Sequence, residues 1–240
     1  MILERILFQN EACLVINKHK GEAVEGAKEG IINLPKEISA AYNKKFKLIE
    51  AVNRLDVPVT GCALFALNND ALVFLNNAFT KENAKVKKQY WAVIEKPVTL
   101  PPKSGELTHW IEVNPKINKS FAHNTEKAGY KKASLKYRIT GEGDNYLFAE
   151  IELLSGRHHQ IRAQLAAIGF YIKGDLKYGA KRSEKGGGIR LHARSLVFPD
   201  PSDINLSDTN PSEKVKKISV TAEPPESDNL WKAFPISPEL

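Results

Sequence analysis

The stretch Asn53-Arg54-Leu55-Asp56-Val57-Pro58-Val59-Thr60-Gly61 sets a carboxylate two residues after an arginine, between apolar neighbours, with a Thr-Gly turn beyond. In an extended segment residues two apart share a face, so Arg54 and Asp56 are expected to emerge together. A carboxylate beside a cation stays ionised at neutral pH and can serve as nucleophile or electrostatic stabiliser. The same pattern describes a strand-end salt bridge before a turn, and the segment alone favours that simpler reading.

Two later stretches carry more polar chemistry. Ser155-Gly156-Arg157-His158-His159-Gln160-Ile161-Arg162 is followed by Ile168-Gly169, Gly174-Asp175 and Tyr178-Gly179, and then by Leu191-His192-Ala193-Arg194. The adjacent His158 and His159 invite a metal, but no Cys or third His stands at ligand spacing, so no metal is expected. Gly186-Gly187-Gly188 lacks the Lys-Ser/Thr pair and the strand-to-helix context of a phosphate loop, so nucleotide hydrolysis is unsupported. His192 reads as a packing residue.

The elements that must hold these residues follow from apolar spacing. Residues 12–17 (ACLVIN) and 62–67 (CALFAL) are short apolar runs and predict strands, with a turn at Gly21. Asn69 is placed to cap a helix in which Leu72, Leu75 and Phe79 recur at helical spacing. Residues 89–95 (QYWAVIE) read as a strand, and Pro97, Pro101, Pro102 and Gly105 as a loop. Residues 133–140 and 146–154 predict two paired strands around a turn at 141–145. Ser155-Gly156 ends the second. A helix over 160–168 follows from Ile161, Leu165 and Ile168, with Gly169 at its end and Arg162 off the apolar stripe, able to face a cleft. Residues 181–188 (KRSEKGGG) read as a flexible basic loop, 189–198 as a strand, and 200–211 as a polar surface excursion. Strands dominate and helices intervene without a regular βαβ rhythm, which predicts an α+β fold in a single domain spanning residues 1–240.

Composition narrows the partners. The chain of 240 residues has a net charge of +7, and residues 125–195 hold 14 lysines and arginines against 7 acids while the remainder has 21 of each. A basic stretch in an otherwise neutral chain is the footprint of a polyanion or of a solvated lysine-rich surface. No apolar run approaches the ~18 residues of a membrane span, and Met1-Ile2-Leu3-Glu4-Arg5 has no signal-peptide layout. Cys13 and Cys62 sit among apolar residues and are expected to be buried free thiols, which suits a reducing cytoplasm.

Taken in order, Lys18, Arg54-Leu55-Asp56, Lys88-Gln89-Tyr90, the run from Gly156 to Arg162, and Leu191-His192-Ala193 resemble the RluA family of pseudouridine synthases. Val220-Thr221-Ala222-Glu223-Pro224-Pro225 looks like that family's C-terminal strand, and the likeness covers residues 10–234. The resemblance implies a mixed, mostly antiparallel sheet flanked by helices and loops, with a central catalytic cleft. It implies isomerisation of uridine in ribosomal or transfer RNA to pseudouridine, without a cofactor, by a monomeric cytoplasmic enzyme. It further implies that Asp56 is the catalytic carboxylate, that Arg162 pairs with it, and that Tyr90 stacks on the target base. Leu191 would wall the uracil pocket, and Arg54, Arg157, His159 and Lys173 would bind substrate. The common His before Arg-Leu-Asp is Asn53 here, and His19 stands where a proline is usual. No separate N-terminal RNA-binding module is expected, because the catalytic pattern begins by residue 12.

Two further readings compete. One is a catalytically inactive RNA-binding or RNA-chaperone protein of the same fold. The other is a glycosidase that uses Asp56 with a second carboxylate, for which Glu150 or Asp175 is the candidate.

Overall fold

Near-continuous apolar runs form strands covered on both faces, and alternating runs form strands covered on one. A computed structural model describes residues 1–80, 86–100, 102–203, 216–225 and 228–234. Within them the chain forms two compact units, one of Met1–Lys88 with Ala193–Pro225 and one of Gln89–His192 with Glu226–Leu240.

The first unit begins with β1 (Ile6–Gln9), β2 (Cys13–Lys18), β3 (Glu22–Ala23), β4 (Ile32–Asn33), α1 (Leu34–Ala41), β5 (Glu50–Ala51), β6 (Thr60–Ala66) and α2 (Asn69–Thr80). In β2, Cys13 to Ile16 are fully buried, as are Ala63 to Ala66 in β6, and the two strands pair antiparallel from Cys13↔Ala66 to Lys18↔Gly61. The helix α2 covers one side of this pair with Ala71, Phe74, Leu75 and Ala78 buried. Leu72 and Phe79, expected in that stripe, pack at its flank. The cap is one residue earlier than expected: the Asn68 Oδ1 accepts from the Ala71 amide at 2.8 Å.

The second unit is built on β7 (Lys87–Glu95), β8 (Ser104–Asn114), β9 (Lys119–His123), β10 (Lys131–Glu142) and β11 (Tyr146–Leu153), in the order β7-β11-β10-β8-β9. All of these pairings are antiparallel. Gly105, read as loop, lies in β8 opposite Tyr137, where a Cβ would sit 2.9 Å from the tyrosine ring. The strands β8 and β9 escape sequence reading because only His109 and Ile111 of β8 and Ser120 of β9 are buried. The helix α3 (Gln160–Ala167) follows β11 and ends at Gly169, whose φ of +79° suits only glycine well.

The strand β12 (Leu191–Pro199) leads back into the first unit, where it lies beside β6 and pairs with β13 (Lys217–Thr221) from Ser195↔Thr221 to Pro199↔Lys217. The short helix α4 (Asn229–Lys232) closes the described chain, capped by the Asp228 carboxylate. Its Trp231 and the following Phe234 pack on Trp91 and Phe148, with Phe234 stacked on Trp91 at 4.5 Å. Most of the excursion expected at 200–211 lies outside the described residues. Most pairings are antiparallel, and β3 with β4 is parallel. The architecture is α+β.

Candidate active-site residues

In the first unit the segment 52–59 is not strand but a loop held from beneath. Asn53 stands in for a strand partner: its Nδ2 donates to the Cys62 carbonyl at 2.9 Å and its Oδ1 accepts from the Leu64 amide at 2.7 Å. Leu55 and Val59 are buried, Asp56 is half-buried, and Arg54 is exposed. Arg54 does not pair with Asp56; its ion pair runs to Glu25 at 3.3 Å. The expected pairing fails because residues 54–56 lie outside any strand, with Arg54 exposed and turned to Glu25.

One cation that reaches this loop is Lys18. It is fully buried at the end of β2, and its Nζ donates to the carbonyls of His19 (3.0 Å), Asp56 (3.2 Å), Val57 (3.1 Å) and Val59 (2.6 Å). Burial pushes its pKa down to about 8, against the pull of the Glu22 and Asp56 carboxylates, with the Arg5 charge adding to the lowering. Glu22 is itself buried and pairs with Arg5 at 2.9 Å. A lysine ending a strand of apolar residues must find acceptors where it is buried, but the sequence does not say which ones.

In the second unit, register places Tyr90 and the residues of α3 together. Tyr90 pairs with Ile151, Ile151 with Tyr137, and Leu135 and Ala133 follow Tyr137 on the same face of β10. Ala133 packs with Ala163 of α3, so Tyr90 and the helix carrying Arg162 share one face of this sheet. Trp91 and Val93 point to the opposite face, toward Trp231 and Phe234. Tyr90 and Leu191 are both buried.

Contrary to the simple apolar stripe, Gln160 to Leu165 of α3 are all buried. Side-chain amides glue its polar positions to the sheet. Gln160 donates to the Ser134 carbonyl and to Gln164, and accepts from Ser155 and from the Arg157 amide. Gln164 donates to the carbonyls of Leu107 and Ala133 and lies 3.1 Å from Nδ1 of His109. Burial lowers the pKa of His109, which keeps that ring neutral and able to accept.

Arg162 is buried against Asp175: Nε donates to Oδ2 at 2.7 Å and Nη2 to Oδ1 at 2.8 Å. The ring of Tyr178 lies 4.8 Å from the guanidinium carbon. His159 is buried, stacks on His158 at 3.9 Å, and has its Nδ1 3.0 Å from the Tyr178 hydroxyl. Arg157 is exposed and donates from Nε to the Lys132 carbonyl.

Lys173, expected to bind substrate, already has an acidic partner. It is largely buried in an ion pair with Glu184, which Arg190 also holds at 2.7 Å, and Arg190 in turn reaches Asp228 at 2.5 Å. Its partner Glu184 comes from the loop read as simply basic, and these cations hold the Glu184 carboxyl below its ordinary pKa although burial acts the other way. The loop is further tied by the Lys181 and Arg182 amides donating to the Glu95 carboxylate. Asp175 and Glu184 drew no attention as partners because the residues they hold lie 13 and 11 positions away.

Residues 12–167 match the RNA pseudouridylate synthase family. The chain belongs to that family. The match spans Asp56, Tyr90 and Arg162, each of which the resemblance had singled out. An uncharacterised RNA pseudouridine synthase of Zymomonas mobilis is 27% identical, covering 98% of this chain and 97% of that one. A ribosomal large subunit pseudouridine synthase C of Rickettsia conorii is 33% identical over 81% of this chain, which spans 63% of the relative. A tRNA pseudouridine synthase C of Haemophilus ducreyi is 27% identical, covering 83% and 86% of the two chains. Among solved structures, human RNA pseudouridylate synthase domain containing 1 superposes with a TM-score of 0.71 at 21% identity, covering 92% of this chain and 83% of that one. Human RNA pseudouridylate synthase domain containing 4 gives 0.70 at 19% identity, covering 97% and 92%. The fold is that of the pseudouridine synthases.

Proposed function

We propose that this member of the family converts uridine in ribosomal or transfer RNA to pseudouridine with the Asp56 carboxylate. The family match through the segment that carries Asp56, Tyr90 and Arg162 is the observation that supports this most. The N1–C1′ bond breaks, the uracil turns, C5 joins C1′, and the proton lost from C5 is balanced by one gained at N1, so no cofactor is consumed. Asp56 acts by attack on C1′ or C6, or by removing the 2′ proton; each route needs an ionised carboxylate shielded from bulk water. Tyr90 supplies an aromatic face for the base and a phenol near C5. Leu191 forms an apolar wall, and Arg157 and His159 engage the RNA around a base that must leave its stack. The relatives' names, one ribosomal and one transfer-RNA enzyme, support both RNAs as substrates. The free buried thiols suit a cytoplasmic site of action. No helix among the described residues is long and apolar enough to cross a membrane.

The glycosidase reading loses its second acid. Asp175 is 2% exposed with both oxygens on Arg162, and Glu150 is ion-paired with Arg138 at 2.6 Å. The deciding experiment measures pseudouridine in bulk ribosomal and transfer RNA by mass spectrometry after incubation with wild type or Asp56→Ala. A loss on the order of 10³-fold in the variant is expected. Equal, negligible product from both proteins would instead identify an inactive RNA-binding member.

A further inference from the structure

Arg162 is met by two side chains from one short turn. Asp175 starts a single turn of 3-10 helix, Leu176–Tyr178, and Tyr178 ends it. Residues three apart eclipse in a 3-10 helix, so the Asp175 carboxylate and the Tyr178 ring are presented on the same side. The carboxylate takes the Nε–Nη2 edge of the guanidinium and the ring takes a face. The turn cannot slide. Gly174 has φ +90° and a Cβ there would lie 2.9 Å from Glu184 Cβ and 3.0 Å from the Gly188 carbonyl. Gly179 has φ +106° and a Cβ there would lie 2.8 Å from the Tyr171 ring.

The far end of Tyr178 is fixed as firmly. Its hydroxyl accepts from the Ser120 amide at 2.8 Å, donates to the Ser120 carbonyl at 3.1 Å, and lies 3.0 Å from the His159 Nδ1. Both Ser120 groups are backbone atoms of β9, and His159 is the residue that opens α3, so the ring is tethered to the sheet and to the start of the helix bearing Arg162.

We propose that residues 174–179 form a clamp that fixes the guanidinium of Arg162, with Asp175 and Tyr178 as positioning residues for uridine isomerisation. The proposal rests on the reading that Arg162 takes part in that reaction. A long arginine side chain has many rotamers, and a buried guanidinium is costly unless its charge is matched. Bidentate pairing on one edge and a π-face on one side remove both rotation and lateral freedom. The direction in which its remaining N–H groups point is thereby set before substrate arrives. Small displacements of a group that must meet a transition state are expensive, on the order of 10²-fold in rate for ~1 Å.

The test uses the full chain with bulk RNA as substrate, comparing Tyr178→Leu, Tyr178→Phe and Asp175→Asn, each alone and combined with Arg162→Ala. Tyr178→Leu is expected to lower kcat by about 10- to 100-fold with KM changed less than about 3-fold. Tyr178→Phe keeps the ring and is expected to recover most of that loss. In the Arg162→Ala background the Tyr178 substitutions are expected to change kcat no further. An independent readout is the Arg162 Nε–H resonance, expected to be protected from solvent exchange in wild type and in Tyr178→Phe, and to lose protection in Tyr178→Leu and Asp175→Asn. Equal kcat losses from Tyr178→Leu with and without Arg162, or an unprotected wild-type resonance, overturn the clamp. If wild type has no turnover on any RNA the functional reading fails, and the resonance still decides the clamp. If Tyr178→Leu does not fold, Asp175→Asn decides in its place: wild-type kcat with the Arg162 Nε–H still protected there contradicts the clamp.

Discussion

The ammonium of Lys18, wholly buried, donates to the backbone carbonyl of Asp56 at 3.2 Å, and gathers the carbonyls of Val57 and Val59 from the same loop. The residue proposed to do the chemistry is thus held through its main chain by a charge that solvent does not reach. This turns a loop without strand pairing into a defined shape, because a desolvated ammonium strongly prefers to keep its acceptors.

Lys18→Met is expected to destabilise the protein by about 1–3 kcal/mol at neutral pH, read from denaturant unfolding, since buried carbonyls lose a donor. The pH dependence has a definite sign. Lys18 has a folded pKa of about 8 against the ordinary 10.5, so between those values the unfolded chain binds more protons. Stability from this group therefore rises with pH from about 8 toward 10.5. The advantage of wild type over Lys18→Met should grow across that window; a constant or shrinking difference would contradict the buried, charged lysine.

Cys13 and Cys62 are both buried free thiols whose pKa burial pushes up to about 12, with Asp200 adding to the rise at Cys13 and the Arg194 charge opposing it at Cys62. The folded state keeps these protons above pH 9 while the unfolded chain loses them, so their contribution falls between 9 and 12, opposite to that of Lys18. Neither thiol should react with a maleimide in the native protein at pH 8, and both should react in denaturant. Fast native labelling would show that the apolar packing around them opens.

Gly61→Ala should be among the most damaging small changes in the chain. Gly61 has φ +111°, and a Cβ there would lie 2.3 Å from the Ala193 carbonyl oxygen, a backbone atom that cannot turn aside. A loss above about 3 kcal/mol, or failure to accumulate as folded protein, is the expected outcome of expression and thermal melts.

Lys173 and Arg157 should separate in RNA binding. Arg157 is exposed, whereas the Lys173 ammonium is spent on Glu184. Affinity measured against salt should lose about one unit of slope in Arg157→Ala and none in Lys173→Ala. Lys173→Ala should instead lower the melting temperature, because Glu184 is left buried beside Arg190 alone.

Trp231 and Phe234 anchor the C-terminal segment on Trp91 and Phe148. Phe234→Ala should cost about 3–5 kcal/mol in unfolding while leaving kcat within about 3-fold, since it packs on the sheet face opposite Tyr90. A large kcat loss in a fully folded variant would contradict that separation of faces.

Local pattern was enough for β2, β6, β7, β10, β11, α2 and α3: continuous apolar runs mark β2, β6 and β7, alternation marks most of β10 and β11, and apolar residues at helical spacing mark α2 and α3. It missed β8 and β9, whose outward residues outnumber the buried ones, and it placed the cap of α2 one residue late. Among the candidate residues, type and order pointed to Asp56, Tyr90 and Arg162, since motif spacing is written along the chain. Partners are not. Arg54 looked like the companion of Asp56 and pairs with Glu25, Lys173 was expected to bind substrate and is buried on Glu184, and nothing beside Lys18 in the chain names the Asp56 loop it holds.

The sequence by itself determined the family, the α+β class, the buried thiols and which side chains have the chemistry to matter. Only the tertiary structure decided which charge meets which. A guanidinium or ammonium is satisfied by whatever acceptor the fold brings within about 3 Å, and that choice depends on burial and register across the sheet. That is why Arg162 finds Asp175 and Tyr178 across a turn, and why Lys18 finds the backbone beneath Asp56.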